Sequence, residues 1–286
     1  MRYSKSLIAA SLAVLAATAF VATASALPPG EMLGAKPITV DGFKYGGNLP
    51  VGADKNLDAL KVLIKSADSM GQLRDNQYGG SLYLVLGDTT NAMRINAEGT
   101  WNGQKSHVVL DWDYRVPGMR LDVTSPDGKA RTIQVAAADK AWDEKTPGVF
   151  AAKASNSVAE RLVIPYLMPS AVILAGRDAA DVMKLSKDEK GKQVLTIPVP
   201  KLGTGVNLVA TLDADGHPVK TTIALNGKTY TGEFDEFLAD RMDMAVNFSH
   251  HVVLKVDGKE IANLELNWHQ ANPYLIFPVP KEVASN

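Results

Sequence analysis

Ile223-Ala224-Leu225-Asn226-Gly227-Lys228-Thr229-Tyr230 is the stretch whose reading decides the fold. Asn and Gly both tolerate the positive φ that a two-residue hairpin demands, and alternating apolar residues flank them. The chain repeats the device at Asn102-Gly103, Asp127-Gly128, Asp215-Gly216 and Asp257-Gly258. Five such signals predict an α+β fold, mainly antiparallel β, built on one sheet of about ten strands.

Side chains alternate faces along a strand and paired residues share a face, so loop length fixes which residues meet. A two-residue loop at Asn102-Gly103 sets Met93, Ile95 and Ala97 against Val108, Leu110, Trp112 and Tyr114. The same length at Asn226-Gly227 sets Ile223 on Tyr230 and Val219 on Phe234. At Pro126-Asp127-Gly128 the apolar residues on both sides are odd: Met119, Leu121 and Val123, then Ile133 and Val135. An odd loop is expected there. At Asp257-Gly258 both sets are even (Phe248, Val252 and Leu254, then Leu264, Leu266 and Trp268), which again asks for an odd loop. An even loop at Asp215-Gly216 brings Leu212 onto Val219. All five hairpins then share one apolar face, with Arg94 and Arg120 on the other and Arg131 beside Ile133 and Val135.

Residues 27–55 form a Pro- and Gly-rich N-terminal arm with a short strand at Ile38–Val40, and 56–286 read as a single domain. Asn56 is placed to cap a helix from Leu57 to about Leu73, apolar along one stripe. A second helical stretch runs from Ser157, three residues before Glu160 as in a capping box, to Ala175, with Gly176 as its stop. Pro165 and Pro169 must kink or divide it. Between Leu162 and Ala175 nearly every residue is apolar, on all sides, as in a buried core helix or a mobile lid.

Residues 1–26 read as a secretory signal peptide. Arg2 and Lys5 precede the apolar run Leu7–Val21, and Ala24-Ser25-Ala26 offers cleavage after Ala26. Export places the mature chain in the periplasm, with no transmembrane anchor. The chain has 30 basic and 31 acidic residues; loss of Arg2 and Lys5 leaves 28 against 31, no basic footprint for nucleic acid. It contains no cysteine, hence no disulfide.

No catalytic motif, metal-ligand spacing or cofactor loop is legible, so the reading leans away from an enzyme and names no cofactor. His107, His217, His251 and His269 read as surface or rim residues. His250 falls beside Phe248 and Val252, either as a satisfied core histidine or as a group meeting a ligand head at a cavity mouth. Asp111 and Asp113 read as solvated carboxylates. Asp213-Ala214-Asp215-Gly216 opens like a calcium loop but lacks the later bidentate Glu. The acidic cluster Glu233, Asp235, Glu236, Asp240 and Asp243 reads as a charged edge. The twin motifs Ile197-Pro-Val-Pro-Lys201 and Phe277-Pro-Val-Pro-Lys281 are expected to end strands or follow a sheet edge.

The run Phe248-Ser-His-His-Val-Val-Leu-Lys-Val-Asp-Gly-Lys259 with Asn272-Pro-Tyr274 and Phe277-Pro-Val-Pro280 resembles the end of periplasmic lipoprotein carriers of the LolA-like superfamily. Tyr114-Arg-Val-Pro-Gly-Met-Arg-Leu-Asp122 and Ala141-Trp-Asp-Glu144 resemble its middle. The resemblance spans roughly 57–283 in element order. It implies a curved half-barrel sheet with helices over its apolar face, enclosing a cavity for a lipid, a lipoprotein acyl chain or another hydrophobic molecule. Trp112, Met119, Leu121, Phe248, Leu266 and Trp268 would line the sheet side, with His250 at the mouth. Leu167, Met168, Val172 and Ile173 would line the lid. The alternative is a structural or regulatory partner protein of the cell envelope whose core is solid.

Overall fold

Three tight turns organise the sheet: Asn102-Gly103, Asn226-Gly227 and Asp257-Gly258 each hold both residues at positive φ (49° and 76°, 51° and 74°, 50° and 78°). The computed structural model describes residues 37–46, 49–78, 81–87, 89–239 and 246–284. The stretch read as a signal peptide, most of the N-terminal arm, and Asp240 and Asp243 of the acidic cluster lie outside them.

The first four strands are β1 (Ile38–Val40), β2 (Phe43–Tyr45), β3 (Leu73–Tyr78) and β4 (Ser81–Leu86). They make a small sheet in the order β1-β2-β4-β3. The strand expected at Ile38–Val40 is β1. The large sheet follows with β5 (Ala92–Trp101), β6 (Gln104–Asp113), β7 (Gly118–Thr124), β8 (Arg131–Ala137), β9 (Lys140–Thr146) and β10 (Val149–Lys153). It continues with β11 (Lys184–Lys187), β12 (Gln193–Pro198), β13 (Asn207–Leu212), β14 (Pro218–Leu225), β15 (Lys228–Ala239), β16 (Asn247–Val256) and β17 (Lys259–Ala271). Its order is β10-β9-β8-β7-β6-β5-β17-β16-β15-β14-β13-β12-β11, antiparallel throughout. It is curved and open, with 13 strands where about ten are expected. The extra strands turn through Pro147-Gly148 and Asp188–Lys192, which carry no Asn-Gly or Asp-Gly pair. Pairing of β5 with β17 joins two meanders.

Two hairpins follow the parity argument directly. Met93, Ile95 and Ala97 face Trp112, Leu110 and Val108, and Ile223 faces Tyr230. At Asp257-Gly258 the faces are as expected, Val252 against Leu264 and Leu254 against Ala262, but the loop is not odd. Val256 pairs with Lys259 across a two-residue turn, and a bulge at Ile261 supplies the missing residue. At Asp215-Gly216 the register Thr211–Lys220 breaks before Leu212, which pairs with Pro218 and not Val219. Val219 is the bulged residue, so its expected pairing with Phe234 is not made either.

The hairpin at Asp127-Gly128 corrects the expectation of a single apolar face. Leu121 pairs with Gln134 and Asp122 with Ile133, so the loop is even and Ile133 and Val135 lie on the face opposite Leu121. There they form a second, smaller core with Ala137, Trp142 and Val283, flanked by Phe150 and Phe277. The segment after β17, ending in α4 (Lys281–Ala284), crosses this outer face as a strap. Phe277 approaches so near that a Cβ on Gly118 would stand 2.8 Å from its ring. Of the twin proline motifs, the first does end β12. The second lies in the strap, six residues beyond β17.

The outer face also carries ion pairs: Arg94–Asp111 (2.5 Å), Arg120–Glu144 (3.0 Å) and Arg131–Asp122 (2.5 Å). Asp111 faces away from the main core, as parity requires. It is not solvated, however: the Arg94 side chain covers it and leaves it 4% exposed.

Helix α1 (Leu57–Ser69) ends at Gly71, with Gln72 N–H bonded to Ala67 O, so Leu73 belongs to β3. Asn56 precedes it without a side-chain cap; its amide instead donates to Ala180 O and Met183 O. The second helical stretch divides into α2 (Val158–Leu167) and α3 (Pro169–Asp178), bent by 104° at Met168. Gly176 does not stop α3. It lies inside it where α1 packs, and a Cβ there would sit 2.6 Å from Leu63 Cδ1. No single described helix is long and apolar enough to cross a membrane.

Candidate functional site

The expected site is the interior between the apolar sheet face and the α2–α3 pair. Ser157 and Glu160 start α2 with a complete capping box: Glu160 N–H donates to Ser157 Oγ, and Ser157 N–H to Glu160 Oε2. These bonds hold the Glu160 carboxyl below its ordinary pKa.

Proline chemistry then dictates the bend. Pro169 has no N–H to offer Pro165 O, which accepts from Met168 N–H instead (3.1 Å), and Ala171 N–H turns to Met168 O, so Leu167 O loses its helical donor. The sheet supplies donors to both carbonyls. Tyr114 O–H donates to Pro165 O (2.7 Å), and Thr221 O–H donates to Leu167 O (2.6 Å), both buried. Burial raises the Tyr114 pKa far above that of a free phenol, so it stays a neutral donor.

Arg161, 2% exposed, pins α2 to the strand pair β8–β9. Its guanidinium donates to Val135 O (3.0 Å), Trp142 O, Asp143 Oδ1 (2.6 Å) and Asn156 Oδ1 (2.8 Å). No sequence motif announces this role; an arginine in an apolar helix is the sole signal.

Around these anchors the apolar residues meet. Trp112, Met119, Leu121, Phe248 and Leu266 from the sheet join Leu167, Met168, Val172 and Ile173 from the helices in one buried cluster. Rings extend it: Trp112 lies 6.3 Å from both Tyr114 and Phe248, and Tyr114 is 5.6 Å from Tyr166. Buried aliphatic side chains of this kind contribute about 1.5–3 kcal/mol each.

Trp268 is not brought there. Leu266 pairs with Ala97, but the register shifts at Asn267 and Trp268 pairs with Asn96 on the outer face. The inward place passes to His269, fully buried rather than at the rim, with Nε2 3.0 Å from Val246 O. A bulge of this kind leaves no mark in local sequence. His250 is partly buried, edge-on to His269 at 5.7 Å, and its Nε2 has no hydrogen-bond partner among the described residues.

Asp213, Asp215 and His217 each bring one potential ligand atom within 4.8 Å of the others. Asp213 Oδ1, however, already accepts from the N–H groups of Asp215, Gly216 and His217 at 2.8–3.0 Å, as a turn scaffold does. Of the described part of the acidic cluster, Glu233 pairs with Lys255 (2.6 Å) and Asp235 with His251 (2.9 Å), while Glu236 is exposed.

The site is thus an apolar interior closed by a proline-broken helix pair on an open antiparallel sheet. No protein-family model matches the chain, and no curated protein matches it.

Proposed function

We propose that the chain is a periplasmic binding or carrier protein for a lipid, a lipoprotein acyl chain or another hydrophobic molecule. The observation that carries this reading is the α2–α3 pair, apolar on all sides and broken at Met168, lying against the apolar face of an open sheet. In this reading the sheet acts as a half-barrel and the helix pair as its gate. A ligand would displace helical side chains from Trp112, Met119, Leu121, Phe248 and Leu266 and replace one apolar contact with another, so the exchange costs little. The signal peptide read from residues 1–26 and the resemblance to LolA-like carriers support the same reading.

The second reading, a structural or regulatory partner protein with a solid core, is favoured by the anchors. Opening the pair breaks the bonds of Tyr114 and Thr221, and opening α2 also removes Arg161 from its four acceptors.

Hydrogen exchange separates the two. For a carrier, amides of Leu162–Ala175 exchange faster than those of β13 and gain protection when oleate is added. Equal protection in both segments, insensitive to oleate, would rule out the carrier reading. Native mass spectrometry of protein purified from the periplasm then weighs any bound molecule.

A further inference from the structure

A small cavity of about 70 Å³ opens in the crook between the bent helix pair and the sheet, and nothing in the apolar reading uses it. Its chemistry is that of a donor-rich pocket. Tyr166 comes from α2, Arg177 and Asp178 from the last turn of α3, Tyr114 and Arg115 from the end of β6, and Lys201 from the loop after β12.

Two of the three cations already have carboxylate partners. Asp178 is taken by Arg177, whose Nε lies 2.9 Å from Oδ1 and which also donates to Leu86 O. Arg115 pairs with Asp113 at 2.8 Å. Arg177 at the C-terminal turn of α3 also offsets the helix carbonyl ends, which would otherwise repel an anion. Lys201 has only a neutral acceptor, Tyr114 O at 3.0 Å, and its ammonium retains further donors. Among the described residues, Lys201 is the cation of this cavity that has no carboxylate partner.

Tyr166 points to the same conclusion independently. It is 5% exposed, and its hydroxyl makes no hydrogen bond among the described residues although it lines the cavity. The ring is buried while the oxygen is accessible at the cavity, free to donate to a bound group. Burial and the nearby Asp178 raise its pKa well above the usual value, so it can only donate to an anion.

We infer that this cavity is a binding site for one oxyanion group, a carboxylate or a phosphate, held by Lys201, Tyr166 and Arg177. The volume suits such a group and excludes a nucleotide. The inference does not need the carrier reading: the anion can be the head of an acyl chain or a free small ion.

The test is calorimetric titration of the full mature chain with sodium phosphate, sodium acetate, oleate and oleyl alcohol. Wild type is compared with Lys201→Met, Lys201→Arg and Tyr166→Phe, each checked for fold by circular dichroism. Lys201 is exposed, so its variants fold even if Tyr166→Phe does not. Phosphate or acetate binding that weakens about tenfold in Lys201→Met and recovers in Lys201→Arg supports the site with a free anion as its occupant. Oleate binding alone, tighter than oleyl alcohol and reduced to its level by Lys201→Met, supports it with an acyl carboxylate. Equal binding of oleate and oleyl alcohol, unaltered by either Lys201 variant, overturns the site but leaves the carrier reading intact. No binding of any of the four overturns the site.

Discussion

Thr221 shows how much one hydroxyl can decide. It stands on the apolar face of β14, 0% exposed, where an aliphatic residue would be the ordinary choice. Its partner, Leu167 O, lost its helical donor because of the break at Pro169. Thr221→Val keeps the shape and leaves that carbonyl buried and unpaired, so we expect a loss of about 1–3 kcal/mol. Thr221→Ser should lose less, because the donor survives. Urea unfolding with an unchanged slope and a lowered midpoint is the expected record; equal midpoints for wild type and Thr221→Val would show the bond to be immaterial. Sequence alone places Thr221 on the same face as Ile223. What makes its hydroxyl necessary is a helix end more than fifty residues away in the chain.

At the scale of the element, bulges decide which faces the strands present. Ile261, Val219 and the step at Asn267 each add a residue that local counting cannot foresee. Where none intervenes, as at Asn102-Gly103 and next to the turn at Asn226-Gly227, parity pairs Met93, Ile95, Ala97 and Ile223 with the partners it names. Past Asn267 it puts Trp268 inside when His269 belongs there. The strand most exposed to such errors is β17, because it joins the two meanders. Gly99 marks how close that junction is: φ is 152°, and a Cβ would stand 2.0 Å from Asn263 O, an atom of the β17 backbone that cannot move aside cheaply. Gly99→Ala should therefore destabilise by about 2–4 kcal/mol, far more than Gly258→Ala, whose Cβ meets nothing within 4 Å. Thermal unfolding of the two variants side by side tests this. Similar melting temperatures would mean that β5 and β17 tolerate separation.

For the whole molecule, the two sides of the sheet are held differently. The inner side relies on apolar burial and the helix pair; the outer side on arginine–carboxylate pairs, a small core and the C-terminal strap. Acid should distinguish them. Burial by itself would raise the pKa of Glu144, but Arg120, the Gly148 amide and Trp142 Nε1–H outweigh it and hold the carboxyl below its ordinary 4.5. A depressed carboxylate contributes stability that is complete above about pH 4.5 and is lost as pH falls through the lower, folded value. Glu144→Gln should be less stable than wild type at pH 7, and the gap should narrow as pH falls below 4.5. Chemical denaturation at stepped pH measures it. A gap constant down to pH 3 would mean that the carboxylate is not depressed in the fold.

The sequence by itself determined where the Asn-Gly and Asp-Gly hairpins turn, that the strands of the large sheet pair antiparallel, and which residues of β5 and β6, with Ile223 and Tyr230, face inward. Each of these depends on φ preferences and alternation within a few residues. Only the tertiary structure decided that β5 pairs with β17, that bulges reset the register, and that Ile133, Val135 and Trp142 build a second core beneath the strap. It alone decided that Arg161, Tyr114 and Thr221 fasten the broken helix. The reason is physical: a bulge, a strap or a buried hydrogen bond is chosen by the fit of surfaces far apart in the chain, and no local pattern carries that fit.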